Sequence, residues 1–177
     1  MKLKFIDQQY QTDAVESIVW IFEGSKVKES LFTVDISKRK DLSDIGLVGK
    51  GVTYELGYAN KLTLDDTELL ANVRRIQERN DIQKSTDING RNFTVEMETG
   101  TGKTYVYTKT ILELHKRYGF TKFIIVVPSI AIKEGVYKSL QITEEHFKLK
   151  YDNEIFNYFV YDSSKLTQVQ AFATSSN

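Results

Sequence analysis

The sequence of 177 residues contains no cysteine, one proline and two methionines. The absence of cysteine excludes disulfide bonds and thiolate metal sites, and it fits a reducing compartment. Net charge is absent too, because 24 lysine and arginine residues balance 24 aspartate and glutamate residues. A neutral chain does not attract nucleic acid as a whole, so any contact with DNA must come from a local patch.

Long apolar runs are also missing. The first residues contain no run long enough for a signal peptide, and the apolar run 123–127, which no other run exceeds, is far too short to cross a bilayer. We therefore predict a cytoplasmic protein with no membrane segment. Hydrophobic residues make up 41% of the chain and charged residues 27%, which is enough for one packed domain with or without an insertion.

Residues 98–104 read Glu-Thr-Gly-Thr-Gly-Lys-Thr and separate a strand pattern from a helix pattern. Phe93, Val95 and Met97 alternate with polar residues, as in a strand, and apolar residues recur at helical spacing within 107–118. A strand, a glycine turn and then Lys-Thr at the start of a helix is the order found in a phosphate-binding loop. The alternative is a solvated turn, which the flanking patterns disfavour. We call 98–104 the phosphate loop.

Each residue type in the phosphate loop suits one part of a nucleotide. Gly100 and Gly102 allow a tight turn that brings backbone N–H groups close to an anion. Lys103 is predicted to reach the β- and γ-phosphates, and the Thr104 hydroxyl is predicted to bind Mg²⁺. Lys103 and Thr104 are thus the predicted catalytic residues, and Thr104 is the predicted metal ligand.

Apolar residues recur at helical spacing over 8–22, which predicts an amphipathic helix. Gln11, near its start, can read adenine because an amide offers an acceptor and two donors to the N6/N7 edge. Gln8 is the second candidate, and an ordinary helix is the alternative. With ATP and Mg²⁺ as cofactors, the predicted binding residues are Gln11, Glu98, Thr99, Gly100, Thr101, Gly102, Lys103, Thr104 and Tyr105.

The rest of the chain falls into two patterns. Within 31–57, alternating apolar residues predict two strands, which we expect to be antiparallel, and a helix is predicted over 63–79 with Thr63 as its cap. Later, the apolar and mostly β-branched run 123–127 suits a parallel strand covered on both faces. The remaining predictions are a strand over 155–161 and helices over about 130–140 and 165–173.

The order of these features resembles the first RecA-like lobe of superfamily 2 helicases and translocases. Residues 97–107, Met-Glu-Thr-Gly-Thr-Gly-Lys-Thr-Tyr-Val-Tyr, are similar to motif I of the Res subunits of type III restriction enzymes. Those subunits carry Met at the position of Met97, where the strict loop pattern has Gly. Residues 118–120, 122–129 and 131–136 are similar to the motif Ia region of the same family, and residues 72–77 and 161–166 also resemble this family. The likeness runs through most of 1–173 and is weakest in 24–58.

The resemblance implies an α/β fold. A P-loop RecA-like parallel sheet with flanking helices would form an incomplete first lobe, and a strand pair and helix would be inserted into it. The implied organisation is an adenine-motif helix in 1–23, the insertion in 24–91 and a truncated ATP-binding lobe in 92–177.

The resemblance also implies a function. A Res subunit pairs with a Mod methyltransferase subunit, uses ATP and Mg²⁺ to drive translocation or communication along double-stranded DNA, and cuts the DNA. Pro128 and Ser129 would approach the DNA backbone. The full-length protein would be a type III site-specific deoxyribonuclease and a DNA-dependent ATPase.

Several parts of such an enzyme have no counterpart in this sequence. No Asp-Glu pair follows a buried strand after Thr104, and neither a second-lobe arginine nor a nuclease core is recognisable. Hydrolysis requires a carboxylate that holds Mg²⁺ and positive charge on the γ-phosphate. We therefore expect an N-terminal part of a longer protein, which binds nucleotide weakly and does not hydrolyse ATP at a useful rate.

Two alternatives stay open. One is a nucleotide-binding module of another P-loop class, such as a sensor or a transporter ATPase. The other is a docking module whose strand pair at 31–57 contacts a partner subunit.

Overall fold

The computed structural model describes residues 5–27, 29–35, 54–88, 90–154 and 156–175. The chain divides into two compact units. The first unit contains Met1–Lys26, Leu62–Gly119 and Phe123–Ile155, and the second contains Val27–Lys61, Phe120–Lys122 and Phe156–Asn177. The boundaries 1–23, 24–91 and 92–177 that the sequence suggested stay a prediction.

The first unit is built from helices. In chain order they are α1 (Gln9–Val19), which continues into a 3-10 turn at Trp20–Phe22, α2 (Asp66–Arg79), α3 (Lys103–Tyr118) and α4 (Ile130–Lys150). Helix α3 packs against both α1 and α4. Among the described residues, no helix combines the length and the apolar character that a membrane span requires.

Helix α1 confirms the helix predicted over 8–22. Val15 and Val19 lie four residues apart on its buried face, and the hydroxyl of Tyr118 on α3 donates a hydrogen bond of 3.1 Å to the carbonyl oxygen of Val19. Helix α3 ends at Gly119, whose φ of 68° is the left-handed conformation typical of a glycine cap. The helix predicted from the spacing within 107–118 is therefore confirmed, with Gly119 as its C-cap.

Helix α2 has a different cap from the one predicted. Asp65 is the N-cap: its carboxylate accepts from the N–H of Glu68 at 2.9 Å, and the Glu68 carboxylate accepts from the N–H of Asp65 at 2.9 Å. This reciprocal pair is a capping box, which satisfies two N–H groups at the start of a helix. The prediction of Thr63 as cap is wrong, because its hydroxyl accepts from the N–H of Lys26 at 2.9 Å instead.

Helix α4 is longer than predicted. It runs to Lys150 rather than ending near Leu140, and it buries Leu140, Thr143 and Phe147 on one face. Glu144 and Lys148 form an ion pair of 2.6 Å one turn apart on this helix. The added length brings Thr143 and its neighbours into the site described below.

The second unit contains β1 (Glu29–Asp35), β2 (Tyr54–Asn60) and α5 (Leu166–Thr174). The strands pair antiparallel, which confirms that prediction; positions 36, 52 and 53 of the predicted strands lie outside the described residues. Phe32 stands opposite Gly57, where an added Cβ would lie 2.5 Å from the Phe32 ring. Glycine at this position leaves room for the ring, and a larger residue would push the Phe32 ring aside.

The parallel sheet is not confirmed. Among the described residues, the structure has one sheet, of β1 and β2, and assigns no strand to the predicted segments 93–97, 123–127 and 156–161. In the middle segment, Ile124 is 81% exposed and Val126 88% exposed. A β-branched run shows that a segment suits a sheet, but a strand forms only where a neighbour completes the hydrogen-bond ladder. These segments have no such neighbour in the described part of the chain.

Candidate nucleotide-binding site

The phosphate loop forms a tight turn that depends on its two glycines. Gly100 and Gly102 have φ angles of 84° and 85°, in the left-handed region that other residues rarely adopt. The hydroxyl of Thr101 donates to the carbonyl oxygen of Glu98 at 2.6 Å and closes the turn. The sequence prediction that glycine is needed at these positions for a turn is confirmed.

The start of helix α3 is open to an anion. Gly102 is its N-cap and has no side chain to accept from the first N–H groups. These N–H groups and the positive end of the helix dipole favour a bound negative charge. Lys103 adds a positive charge at the same place, and its ammonium group donates to the carbonyl oxygen of Glu98 at 2.6 Å.

Gln11 contacts the phosphate loop directly. Its side-chain nitrogen donates a hydrogen bond of 2.9 Å to the carbonyl oxygen of Thr101, and the hydroxyl of Tyr10 donates to the same oxygen at 3.3 Å. A Cβ added to Gly102 would lie 2.6 Å from that side-chain nitrogen. The absence of a side chain at Gly102 therefore allows Gln11 to approach the loop.

A pocket of about 670 Å³ lies at the start of α3. It contains most of the predicted cofactor-binding residues: Gln11, Thr99, Gly100, Gly102, Lys103, Thr104 and Tyr105. The second candidate for reading adenine, Gln8, lines it as well.

Four predicted site residues lie elsewhere. Glu98 and Thr101 line a separate groove of about 1120 Å³, which is also lined by α1, α2 and residues of 80–88 and 92–97. Pro128 and Ser129 are not among the residues that line either cavity. The Ser129 hydroxyl accepts from the N–H of Ile132 at 3.3 Å and caps α4. The approach of Pro128 and Ser129 to DNA stays a prediction.

The sequence reasoning missed several residues of the pocket. Phe5 and Ile6 precede α1, and Ser139, Ile142 and Thr143 belong to α4. The last two lie beyond the predicted end of that helix. The spacing of Leu140 and Phe147, two turns apart, is the signal that could have extended the helix to include them.

A charged cluster beside the pocket was missed too. Asp7 lies 3.0 Å from the ammonium group of Lys109 and also pairs with Lys150, while the Tyr105 hydroxyl donates to Asp7 at 3.3 Å. The hydrogen bond from Lys150, together with the charges of both lysines, lowers the pKa of Asp7 to about 2. Burial, with a contribution from the charge of Asp7, raises the pKa of Tyr105 to about 12.

His146 lies next to this charged cluster and contacts Tyr105. Its Nε2 lies 3.0 Å from the Tyr105 hydroxyl, and burial, with the nearby charge of Lys150, lowers its pKa. Across the described residues, no group of three or more His, Cys, Asp or Glu side chains is arranged to hold a metal ion. The assignment of Mg²⁺ to the Thr104 hydroxyl therefore stays a prediction.

Comparison with known proteins relates this chain to restriction enzymes. The family model described as type III restriction enzyme, res subunit, matches residues 5–174. The Type III restriction-modification enzyme EcoPI Res subunit of Escherichia phage P1 is 42% identical over 105 residues, which are 56% of this chain and 11% of that protein. The EcoP15I Res subunit of Escherichia coli is 40% identical over 105 residues, with the same two shares. The StyLTI Res subunit of Salmonella typhimurium is 52% identical over 64 residues, which are 35% of this chain and 6% of that protein.

The chain thus matches 11% or less of the length of each of these three relatives. The family model, in contrast, covers most of the chain, including α1, the phosphate loop and α4. This chain therefore belongs to the type III restriction enzyme Res subunit family.

Proposed function

We propose that this chain is the ATP-binding part of the Res subunit of a type III restriction-modification endonuclease. Mg-ATP bound here drives translocation or long-range communication along double-stranded DNA before double-strand cleavage. The observation that carries the proposal is the uncapped start of α3, where Gly102, Lys103 and Gln11 share one pocket. Family membership favours this function over a sensor or transporter ATPase.

The phosphate end of the site is formed by the backbone. With Gly100 and Gly102 in left-handed conformations, the turn can follow an anion closely without a Cβ in the way. The ammonium group of Lys103, which holds the carbonyl oxygen of Glu98 in the structure, exchanges that partner for a phosphate oxygen. A phosphate oxygen carries negative charge and a carbonyl oxygen does not, so the ammonium group gains an ion pair in the exchange and the nucleotide is favoured.

Thr104 is the residue that would hold Mg²⁺. A Mg²⁺ ion bound with a nucleotide keeps several waters and takes few protein ligands, so one hydroxyl is an adequate contribution. Bound ATP supplies the phosphoanhydride bond whose cleavage powers movement. Cleavage of that bond also needs groups that this sequence lacks, and the chain alone therefore binds without turnover.

The base end of the site contains Gln11. One N–H of its amide is used by the carbonyl oxygen of Thr101, which fixes the orientation of the side chain. An amide has a second N–H and a carbonyl oxygen, which match the acceptor and donor of adenine at N7 and N6. Gln11 therefore both supports the phosphate loop and selects ATP.

The partners belong to the whole protein. The EcoPI and EcoP15I relatives are named as Res subunits of type III restriction-modification enzymes. We propose that the protein to which this chain belongs acts on double-stranded DNA with a Mod methyltransferase subunit. Pro128 and Ser129, at the start of α4, contact the DNA backbone.

Isothermal titration calorimetry of the chain with Mg-ATP tests the proposal. Lys103→Ala should weaken binding about tenfold or more, since a hydrogen bond to a charged group is worth about 1.5–3 kcal/mol. Lys116→Ala is the matched control, because it removes an exposed lysine from the other end of α3 and should leave affinity within about twofold. Equal affinity of wild type and Lys103→Ala, or ATP turnover by the chain that Lys103→Ala abolishes, would contradict the proposal.

A further inference from the structure

A cluster of charged and polar groups joins three segments of the first unit. Asp7 precedes α1, Tyr105 and Lys109 belong to α3, and Lys150 belongs to α4. The carboxylate of Asp7 accepts hydrogen bonds from the ammonium groups of Lys109 and Lys150 and from the hydroxyl of Tyr105. We call these four residues the Asp7 cluster.

Lys109 makes this cluster costly to break. Its side chain is only 8% exposed, and it lies 3.0 Å from the Asp7 carboxylate. A buried ammonium group without a partner loses its hydration and gains nothing in return. The need to pair Lys109 therefore holds Asp7 against α3.

The residues on either side of Asp7 line the nucleotide pocket. Phe5, Ile6 and Gln8 all contribute to its wall. The ring of Phe5 lies 6.1 Å from that of Tyr105 at an angle of 12°, and 4.8 Å from the ring of His146. Because Asp7 lies within this short segment, its ion pairs fix the position of this wall of the pocket.

The pocket has two chemically different parts. Backbone turns, Lys103 and Thr104 make one part suitable for phosphates. Phe5, Ile6 and Ile142 make another part apolar, which suits a flat base. Movement of the segment 5–8 would change the apolar part and leave the phosphate part in place.

We infer that Asp7 is a positioning residue for the base end of this site, acting through Phe5 and Ile6. The inference rests on the function proposed above. It separates two contributions to affinity: Asp7 controls the contact with the base, and the phosphate loop controls the contact with the phosphates.

The test compares two ligands on the 177-residue chain by calorimetry with Mg²⁺ present. Asp7→Asn keeps the size of the side chain and removes the charge that pairs Lys109. We expect Asp7→Asn to lower the affinity for ATP about tenfold. The affinity for inorganic tripolyphosphate, which has no base, should stay within about twofold of wild type. Asp7→Glu restores the charge and should recover most of the ATP affinity.

Two further variants separate positioning from folding. Asp152→Asn removes a carboxylate that is 92% exposed, and it should change neither affinity. The double variant Asp7→Asn with Lys109→Met removes the buried charge together with its partner, so it should fold even if Asp7→Asn alone folds poorly. Its affinity for ATP should still be lower than that of wild type.

The outcomes are distinct. Asp7→Asn with wild-type affinity for ATP overturns the inference and leaves the proposed function intact. An equal loss of affinity for ATP and for tripolyphosphate in the double variant also overturns the inference, because the role of Asp7 is then only structural. A wild-type chain that binds neither ligand contradicts the proposed function and the inference with it.

Discussion

The side-chain amide of Gln11 occupies the space that a side chain at Gly102 would need. The side-chain nitrogen of Gln11 donates to the carbonyl oxygen of Thr101 at 2.9 Å, across 90 positions of the chain. An added Cβ at Gly102 would lie 2.6 Å from that same nitrogen. The residue proposed to read adenine is therefore fixed by the loop proposed to hold the phosphates.

Gly102→Ala should destabilise the chain more than Gly100→Ala. Both positions have positive φ, which costs another residue about 1–2 kcal/mol, but a Cβ at Gly100 has no heavy atom within 4 Å. At Gly102 the added Cβ also displaces the Gln11 amide. Urea denaturation of both variants gives the difference in the free energy of unfolding.

The same measurement in a Gln11→Ala background is the control. With the amide removed, the clash at Gly102 disappears, and the two glycine variants should become similar in stability. If the difference in stability between Gly102→Ala and Gly100→Ala stays equally large without Gln11, this contact does not constrain Gly102.

The helical part of the fold could be predicted because its signals are local. Apolar spacing within 107–118 located α3, and alternating residues located β1 and β2. The cap of α2 was missed although Asp65 and Glu68 carry the capping-box spacing, because Thr63 is also a good cap residue and no local signal excluded it. The parallel sheet was not confirmed because ladder partners are long-range, and apolar runs do not specify them.

The phosphate loop could be predicted, but its surroundings could not. Gly100, Gly102 and Lys103 are neighbours in sequence, so their spacing alone indicates a turn at the start of a helix. Asp7 meets Lys109 and Lys150 across 102 and 143 positions of the chain. Nothing in the sequence near Asp7 indicates that these charges meet.

Phe147→Ala should lower the free energy of unfolding by about 3–5 kcal/mol. The Phe147 side chain is fully buried, and its ring lies 5.0 Å from that of Tyr105, so its removal leaves a cavity between α3 and α4. Leu149→Ala is the matched control on the same helix, because Leu149 is 75% exposed and its loss should change stability by less than about 0.5 kcal/mol. Chemical denaturation measures both variants, and similar losses would contradict the packing described for α4.

Asp7 should make the stability of the chain depend on pH in the acid range. Its pKa is lowered from 3.8 to about 2 in the folded chain, chiefly by the hydrogen bond from Lys150. A carboxyl group with a lowered folded pKa stabilises the fold above its unfolded pKa, and this stability is lost as the pH falls through the folded pKa. Wild type should therefore lose stability between about pH 4 and pH 2 more steeply than Asp7→Asn.

Thermal denaturation at closely spaced pH values measures this difference. The two proteins should differ most at neutral pH and converge near pH 2. Parallel curves over the whole range would mean that the lysines do not stabilise the charged form of Asp7.

The central claim is that a nucleotide's phosphates bind where the phosphate loop meets α3. Backbone amide NMR shifts recorded during titration with Mg-ATP test it most directly, because they report on the N–H groups themselves. The account predicts saturable shifts centred on Gly100, Gly102, Lys103 and Thr104, with much smaller shifts in the same amides of Lys103→Ala. Shifts confined to other parts of the chain, or none at millimolar Mg-ATP, would contradict it.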